Sequence, residues 1–305
     1  MNIRCATEHD ADAIWEIFRT VVAGRDTYAF HPDTPRAEGV GYWFGPDVTS
    51  FVAQIDGRVV GMYKLIENRA GLGSHVSNAS YMVHPSAGGR GVGAAMGRHS
   101  LIEARRQGYD AMQFNFVVST NVRAVALWQR LGFTIVGTLP RAFRHGTLGL
   151  VDAYVMHRFL DDVVLTFGEL AEGATPEVRP SAYAVVVNES GEIAIIRSHT
   201  NVMLPGGAID GGESSEEAAR REIAEECAID AAIISSLGHA VQFVRVRTSQ
   251  PVEKRSEFFA ATRRSVIIGR RPEHHTLWMP PAEAQNAVTS PSHGWAIRRW
   301  VRLNT

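Results

Sequence analysis

This sequence has few cysteines, no long apolar run and no excess of charge of one sign. Cys5 and Cys227 are the only cysteines in 305 residues, so neither a disulfide framework nor a cysteine-based zinc site is expected. No apolar stretch reaches the roughly 18 residues that a membrane span needs. The N-terminus also lacks a basic-then-apolar secretory segment. We therefore expect a cytoplasmic protein that does not contact a membrane.

The charge distribution disfavours nucleic acid as a partner. The net charge is −1, with about +3 in residues 1–160 and about −4 in residues 161–305. Neither half carries the strong basic excess of a dedicated nucleic-acid binder. Hydrophobic residues make up 45% and charged residues 21% of the chain, which is ordinary for a globular protein. Small-molecule substrates are the expected partners, and the composition does not indicate an oligomeric state.

The length of 305 residues exceeds the usual size of one domain, so two domains are expected. Between apolar runs, the segment GELAEGATPEVRP (168–180) is rich in glycine, proline, glutamate and alanine, which is typical of a linker. We predict a first domain over residues 1–160, a linker over 161–179 and a second domain over 180–305.

An acidic helix after a glycine-rich loop is the strongest chemical feature of the second half. Ser214 and Glu217 form a capping-box pattern, which predicts that a helix begins at Ser215. On that helix Glu222, Glu225 and Glu226 share one face at spacings i, i+3 and i+4, where like charges repel. Clustered carboxylates suit a hard divalent ion such as Mg²⁺ or Mn²⁺, which also binds substrate phosphates. A solvated acidic helix is the alternative, but it does not require the glycine loop.

The segment GAIDGGESSEEAARREIAEECAI (207–229) closely resembles the box of the Nudix hydrolase family. The resemblance implies metal ligation by Glu222, Glu225, Glu226 and the carbonyl of Gly206, and a supporting ion pair between Arg221 and Glu213. It also implies hydrolysis of a pyrophosphate bond in a nucleoside diphosphate-linked substrate. One departure is Ala228, where the family usually has glycine; we expect alanine to end the helix less sharply.

The sequence leaves undecided whether two other features of the second half contribute to a metal site. Glu257 could be a further ligand or base, although an exposed strand position is the simpler interpretation. His274 and His275 could form a metal pair, but adjacent residues of a strand point to opposite faces, which favours a loop or strand-end role.

A second glycine loop characterises the first half. In YMVHPSAGGRGVGAAMGRHSLIEARRQGY (81–109) an apolar strand leads through four glycines into a helix. Such a loop exposes backbone N–H groups at the positive end of a helix, which favours a phosphate or pyrophosphate. A plain turn is the alternative.

Residues 1–160 resemble GNAT-type N-acetyltransferases, with NIRCATEHDADAIWEIF as the first strand and helix and FVAQIDGRVVGMYKL as a hairpin. FNFVVSTNVRAVALWQRLGFTIVG resembles the second motif of the family. The resemblance implies that acetyl-CoA binds between splayed parallel strands at 79–83 and 111–118. The cofactor-binding residues that it implies are Met82, Val83, Gly88, Gly89, Arg90, Gly91, Val92, Gly93, Ala94 and Asn121.

Two positions depart from the GNAT pattern. The usual arginine or glutamine at the head of the loop falls on Gly88, although Arg90 could serve. The tyrosine that often protonates the leaving thiolate falls on Trp128, so water, Ser119 or Tyr81 would have to replace it. Asn121 is expected either to position the cofactor or to cap the next helix. Glu67, His75 and His84 are the candidate bases, and none of them is singled out by the sequence.

The predicted fold class is α/β (α+β), with a GNAT-like mixed sheet and flanking helices followed by a Nudix α/β/α sandwich. The predicted function is bifunctional: acetyl-CoA-dependent N-acyl transfer to a small amine, and Mg²⁺- or Mn²⁺-dependent hydrolysis of a nucleoside diphosphate-linked substrate. An alternative makes the first domain a non-catalytic acyl-CoA sensor that regulates the hydrolase.

Overall fold

The computed structural model describes residues 1–198, 201–244 and 250–304. The chain divides into two compact units. The first comprises Met1–Arg105 with Tyr109–Asp162, and the second comprises Arg106–Gly108 with Val163–Thr305. None of the described helices is both long enough and apolar enough to cross a membrane. The predicted mixed α/β fold class with two separate sheets is confirmed.

The first unit is a seven-stranded sheet with helices packed against it. Its elements, in chain order, are β1 (Asn2–Cys5), α1 (Ala11–Ala23), α2 (Arg36–Gly41), β2 (Thr49–Ile55), β3 (Arg58–Glu67), β4 (Val76–Val83), α3 (Val92–Arg106), β5 (Ala111–Val118), α4 (Val122–Arg130), β6 (Thr134–His145) and β7 (Gly149–Phe159). The strand order is β1-β2-β3-β4-β5-β7-β6. All neighbours pair antiparallel except β4 and β5, which are parallel.

The β2–β3 turn and the packing of α1 follow from local sequence. Asp56 and Gly57 join β2 to β3 with φ values of 51° and 77°, a combination that a tight hairpin turn requires. α1 buries Ile14, Ile17 and Phe18 against the sheet, consistent with apolar residues spaced three and four apart. The predicted first strand, first helix and hairpin are therefore confirmed.

The second unit is built on an eight-stranded sheet. Its elements are β8 (Leu165–Phe167), β9 (Glu177–Val187), β10 (Ile193–Ser198), β11 (Asn201–Met203), β12 (Gly206–Ala208), α5 (Ser215–Cys227), β13 (Ile229–Val244), β14 (Val252–Val266), β15 (His275–Met279), α6 (Pro281–Ala287) and α7 (Pro291–Asn304). The path runs β11-β10-β9-β14-β13-β8, while β12 pairs with β9 and β15 pairs with β10.

Alternation along β9 separates two cores and produces an α/β/α sandwich. Tyr183 and Val185 face the layer of α6 and α7, where Trp295 is fully buried. Ala182 and Ala184 face α5, which contributes Ala219, Ile223 and Cys227. The small alanines allow α5 to lie close to the sheet, so the acidic face of this helix is held at a fixed distance from β12.

Part of the segment predicted as a linker belongs to the second sheet. β8 pairs in parallel with β13 and buries Leu165 and Phe167, and β9 already begins at Glu177. A three-residue strand is too short to show an apolar periodicity, whereas its pairing depends on a partner strand some 75 residues away in the chain.

Candidate active sites

The glycine loop of the first unit leads directly into α3. Gly89 and Gly91 have φ values of 77° and 78°, which side chains disfavour, and α3 begins at Val92. Gly88, Gly89 and Arg90 are exposed, while Val92 is buried and anchors the first turn. The N–H groups of the first helical turn have no partners within the helix, so this end can receive an anion.

β4 and β5 separate soon after they meet, as predicted for the cofactor site. Their pairing is confined to Val76 with Ala111 and Ser77 with Met112. Beyond this point a cavity of about 690 Å³ opens between the strands, and both strands line it. Gly93 and Asn121 line the same cavity, which connects the loop region with the gap. Asn121 Oδ1 also accepts a hydrogen bond from the Ala124 backbone N–H at 3.2 Å, so it caps α4.

The register of β4 decides which backbone groups face the gap. The His84 N–H donates to the Val60 carbonyl, and the Asn68 N–H donates to the Val76 carbonyl. Because hydrogen-bonded pairs alternate in an antiparallel ladder, Met82 bonds to β3, whereas the N–H and C=O groups of Tyr81 and Val83 face β5. The backbone groups that face the gap therefore belong to Tyr81 and Val83, and the Tyr81 carbonyl accepts a hydrogen bond from the Tyr28 hydroxyl. Met82 lines the cavity, but its backbone groups pair with β3.

Aromatic rings surround Trp128, which stands where GNAT-type enzymes often have a tyrosine. The Trp128 ring lies 4.6 Å from the Tyr81 ring and 4.8 Å from the Phe114 ring, measured between centroids. The Tyr81 hydroxyl is bonded to Ser100 Oγ at 2.6 Å, and burial raises the pKa of this phenol above its usual range. The cavity lining contains Arg123 but no Asp, Glu, His or Lys from the described part of the chain. The candidate bases Glu67, His75 and His84 thus lie outside the lining.

In the second unit, two glycines bring β12 close to both α5 and β9. A Cβ atom at Gly206, where φ is 139°, would lie 2.2 Å from the Ala182 carbonyl oxygen. A Cβ atom at Gly207 would lie 2.4 Å from Glu222 Oε1. A side chain at Gly206 would clash with the backbone of β9, and a side chain at Gly207 would displace the Glu222 carboxylate, so the two glycines permit the close approach of backbone and carboxylates.

The limits of α5 are set by its caps. The helix begins at Ser215, and Ser214 and Glu217 form the predicted capping box. At the other end Ala228 adopts the left-handed conformation with φ 54° and ψ 38°. The expectation that alanine would end the helix less sharply than glycine is therefore wrong, because burial of Ala228 and the pairing of β13 from Ile229 impose the turn.

Arg221 joins the loop to the acidic face. Its guanidinium contacts Glu213 at 2.8 Å, Glu222 at 2.9 Å and Glu225 at 3.1 Å, and donates to the Ala208 carbonyl at 3.0 Å. The predicted Arg221–Glu213 ion pair is thus present. Hydrogen bonds from Arg221 hold the pKa of Glu213 below its usual value, and those carboxylates raise the pKa of Arg221.

Glu226 is the most buried acid of the cluster. Its Oε2 accepts a hydrogen bond from the Gly206 N–H at 2.8 Å, and 8% of the residue is exposed. Burial raises the pKa of Glu226 to about 7, with further increases from the charges of Glu222, Glu273 and Glu225. Burial also raises the pKa of Glu222. Carboxylates that are difficult to ionise together provide the kind of site that a divalent cation stabilises.

The oxygen atoms of the acidic face suit a hard cation, although two of its carboxylates form ion pairs with arginines. Among the described residues no group of three or more His, Cys, Asp or Glu side chains is arranged closely enough to hold a metal ion. Arg221 holds Glu222 and Glu225, and Arg270 reaches Glu225 at 3.3 Å. An all-oxygen cluster beside a glycine strand nevertheless fits Mg²⁺ or Mn²⁺, and the metal roles of Gly206, Glu222, Glu225 and Glu226 stay predictions.

The loop between β14 and β15, residues 267–274, packs on the end of α5. The N–H groups of Ile267, Glu273 and His274 donate to the carbonyls of Ala228, Glu225 and Glu226, respectively. These carbonyls are ones that a helix end leaves without partners. The loop thereby brings His274 Nε2 to 3.6 Å from Glu226 Oε1. The sequence pattern does not indicate this, because the contact depends on how far β14 extends before the chain turns.

The structure shows the surroundings of the two positions left open in the second half. His274 lies in the loop and His275 is the first residue of β15, which agrees with the expected loop or strand-end position. Glu257 lies on β14 and accepts hydrogen bonds from the hydroxyls of Ser215 and Ser236. It therefore braces the start of α5 rather than standing free on an exposed strand.

Comparison with known proteins matches each unit separately. The model of the acetyltransferase (GNAT) family matches residues 12–133, and the NUDIX domain model matches residues 177–301. The N-acetyltransferase aca1 of Schizosaccharomyces pombe is 35% identical over 113 residues, which is 36% of this chain and 53% of that protein. A putative 8-oxo-dGTP diphosphatase of Bacillus subtilis is 44% identical over 59 residues, which is 19% of this chain and 40% of that protein. The chain thus spans about half the length of these curated relatives, or less.

A solved structure supports the first unit over nearly its whole length. A GCN5-related N-acetyltransferase from Kribbella flavida is 42% identical, with a TM-score of 0.50. The match covers 52% of this chain and 96% of that protein. Fold and sequence together define a chain that joins domains from two enzyme families. Its first half belongs to the GNAT acetyltransferase family, and its second half is a NUDIX domain.

Proposed function

We propose that this protein is a bifunctional enzyme. The first domain, residues 1–160, transfers an acetyl group from acetyl-CoA to a small amine. The second domain, whose sheet begins with β8 at Leu165, hydrolyses a nucleoside diphosphate-linked substrate with Mg²⁺ or Mn²⁺. Both cysteines are free thiols, which suits a reducing cytoplasm.

The opening between β4 and β5 carries the acetyltransferase proposal. The loop 88–94 at the start of α3 binds the pyrophosphate of acetyl-CoA. The backbone of Val83 and Tyr81 pairs with the pantetheine arm of acetyl-CoA, which enters the gap between β4 and β5. Acetyl-CoA supplies a thioester carbonyl that a neutral amine can attack. The Tyr81 N–H, which faces the gap, stabilises charge on the carbonyl oxygen, and the aromatic walls keep water out.

Two matched glycines test this assignment. Gly89 and Gly57 both have φ +77° and open space around a Cβ atom, but only Gly89 lies in the loop before α3. Alanine should cost each position about 1 kcal/mol of stability. We expect Gly89→Ala to weaken CoA binding several-fold in calorimetry, with Gly57→Ala unchanged. Equal binding in both variants would remove the loop from the proposal.

The buried carboxylate of Glu226 carries the hydrolase proposal. The Gly206 N–H orients it toward β12, and Glu222 and Glu225 complete the acidic face. A bound divalent ion supplies positive charge for the phosphoryl oxygens and lowers the pKa of a water molecule. Arg221 and Glu213 hold loop and helix together, so that the ligands keep their spacing. One of the glutamates accepts the proton of the attacking water.

A nucleotide panel with Mn²⁺ tests the hydrolase. We include nucleoside diphosphate sugars, dinucleotides and 8-oxo-dGTP, the last because of the relative from Bacillus subtilis. Glu226→Gln should reduce hydrolysis by orders of magnitude. Glu216→Gln is the control, since Glu216 lies on the same helix but pairs with Arg220. Equal rates in wild type and Glu226→Gln would refute the assigned role.

One observation favours a second candidate function for the first domain. Trp128 occupies the position of the proton-donating tyrosine, and an indole has no phenolic proton. The domain would then bind acyl-CoA as a sensor for the hydrolase. Thiol release across an amine panel distinguishes the two functions, because tight CoA binding without any turnover supports the sensor.

A further inference from the structure

Tyr28 lies in the segment between α1 and α2, and an aromatic cluster fixes its position. Its ring stacks on Phe30 with a centroid distance of 6.4 Å. Phe30 in turn contacts Phe18 of α1 at 5.0 Å and Tyr42 at 4.9 Å, both edge to face. The segment is therefore held against the sheet by ring packing, and Tyr28 points into the cavity between β4 and β5.

The hydroxyl of Tyr28 reaches the backbone of β4 where the strand faces the gap. Tyr28 Oη donates to the Tyr81 carbonyl oxygen at 2.8 Å. The ladder register directs this carbonyl away from β3, toward β5. Thr27, the preceding residue, also lines the cavity, and its buried Oγ1 has no hydrogen-bond partner among the described residues. This end of the cavity thus offers polar atoms to a ligand.

The direction of the gap places Tyr28 at its inner end. The loop 88–94 follows β4, so an arm that extends from a pyrophosphate there passes Val83 before it reaches Tyr81. Two residues along a strand correspond to about 7 Å. An arm that extends as far as Tyr81 would place its reactive end beside the Tyr81 carbonyl, where the Tyr28 hydroxyl is bound.

The hydroxyls of the other two phenols in the cavity are bonded to serine side chains and not to the backbone at the gap. Tyr81 Oη is bonded to Ser100 Oγ at 2.6 Å, and this serine donates to the Gly97 carbonyl within α3. Tyr42 Oη is bonded to Ser80 Oγ at 2.7 Å. Trp128 has no hydroxyl. Tyr28 is therefore the phenol whose hydroxyl is bonded to a backbone group at the edge of the gap.

We propose that the Tyr28 hydroxyl donates the proton that the departing thiolate of coenzyme A takes up, in place of the residue at 128. The inference rests on the proposed acetyltransferase function. The amine lone pair forms the C–N bond to the carbonyl carbon, the C–S bond breaks, and its electron pair leaves on sulfur. The proton of Tyr28 Oη passes to sulfur, and the phenolate regains a proton from the amine nitrogen. Amine and thioester become amide and thiol without a further reactant.

The test compares phenylalanine variants in the full chain. Tyr28→Phe should lower kcat for thiol release at least tenfold, because proton donation contributes about 10²–10⁴-fold. Its dissociation constant for CoA, measured by calorimetry, should stay within about threefold of wild type. Tyr154→Phe is the control, since Tyr154 lies on the same sheet at β7 but outside the cavity lining.

Each result bears on the inference. A Tyr28→Phe rate within threefold of wild type overturns it, and so does a larger loss in Tyr42→Phe or Tyr81→Phe. A lower rate explained entirely by weaker CoA binding also overturns it. If wild type binds CoA but releases no thiol with any amine, the acetyltransferase function fails together with the inference.

Rescue by added phenol distinguishes the contribution of the Tyr28 hydroxyl from that of its ring. Tyr28→Ala removes the whole side chain and should open space of its size in the cavity wall. Phenol should then restore part of the lost rate, whereas benzene should not. Equal restoration by both compounds would show that the ring acts by packing, and the proton-donor role would be overturned.

Discussion

A glycine in β12 determines how close one carboxylate of α5 can lie to the backbone. Because a Cβ atom at Gly207 would lie 2.4 Å from Glu222 Oε1, Gly207→Ala should displace this carboxylate. We expect at least a tenfold loss of hydrolysis with an intact fold by circular dichroism. Gly211→Ala is the control, since a Cβ atom at Gly211 meets nothing within 4 Å. Equal losses in the two variants would point to loop stiffness instead.

The end of α5 makes Ala228 sensitive to β-branching. The residue is buried at φ 54°, a conformation that costs an ordinary residue about 1–2 kcal/mol. Ala228→Val should lower the free energy of unfolding by at least about 2 kcal/mol, because β-branched residues tolerate this region poorly. Ala228→Gly should stay within about 1 kcal/mol, since relief of strain offsets the lost methyl group. Urea denaturation measures both, and a tolerated valine would contradict the left-handed helix end.

The pKa of Glu226 predicts how stability depends on pH without metal. Its folded-state pKa of about 7 lies above the ordinary value of 4.5, so the folded protein binds the proton more tightly. Stability should therefore fall as pH rises from about 4.5 to 7, by up to about 3 kcal/mol. Urea titrations in EDTA at pH 5 and pH 8 measure this difference. Glu226→Gln should reduce it, and an unchanged difference in the variant would contradict the assignment.

At the scale of elements, the loop 267–274 supplies a competing charge to the acidic helix. Arg270 lies 3.3 Å from Glu225 Oε1, and both side chains are partly exposed, so the pair contributes at most about 1 kcal/mol. Arg270→Ala should therefore tighten Mn²⁺ binding about two- to fivefold, because one cation no longer competes for Glu225. Mn²⁺ titration by electron paramagnetic resonance measures this. Arg271→Ala, the neighbouring arginine, should have no comparable effect; weaker binding in Arg270→Ala would contradict the competition.

At the scale of the whole molecule, each compact unit has its own sheet and its own candidate site. The two proposed activities should therefore respond to different substitutions. We expect Glu226→Gln to leave thiol release within about twofold of wild type, and Tyr28→Phe to leave nucleotide hydrolysis unchanged. Saturating CoA should also leave the hydrolysis rate within twofold. A larger change with CoA would favour the sensor function.

Local rules account for the features that the sequence predicted well. The capping box at Ser214 and Glu217, the Asp56–Gly57 turn and the separation of β4 from β5 each appear where the motifs indicate. The capping box and the turn depend on short-range sterics and hydrogen bonds, whereas the separation of β4 from β5 was implied by the resemblance of residues 1–160 to GNAT-type N-acetyltransferases. The predicted helix-end geometry at Ala228 failed because a buried strand outweighs the local preference of alanine.

By itself, the sequence determined the acidic face of α5 and the glycine loop before α3, because residue spacing along one short segment defines each feature. The chain length and these two different motifs also indicated two domains. Only the tertiary structure decided which backbone groups of β4 face the gap, since register depends on pairing with β3. It also decided that Tyr28 reaches Tyr81 and that the loop 267–274 covers the end of α5. The contacts of Tyr28 and of the loop 267–274 join residues 39 to 53 positions apart, and no local pattern encodes a contact over that separation.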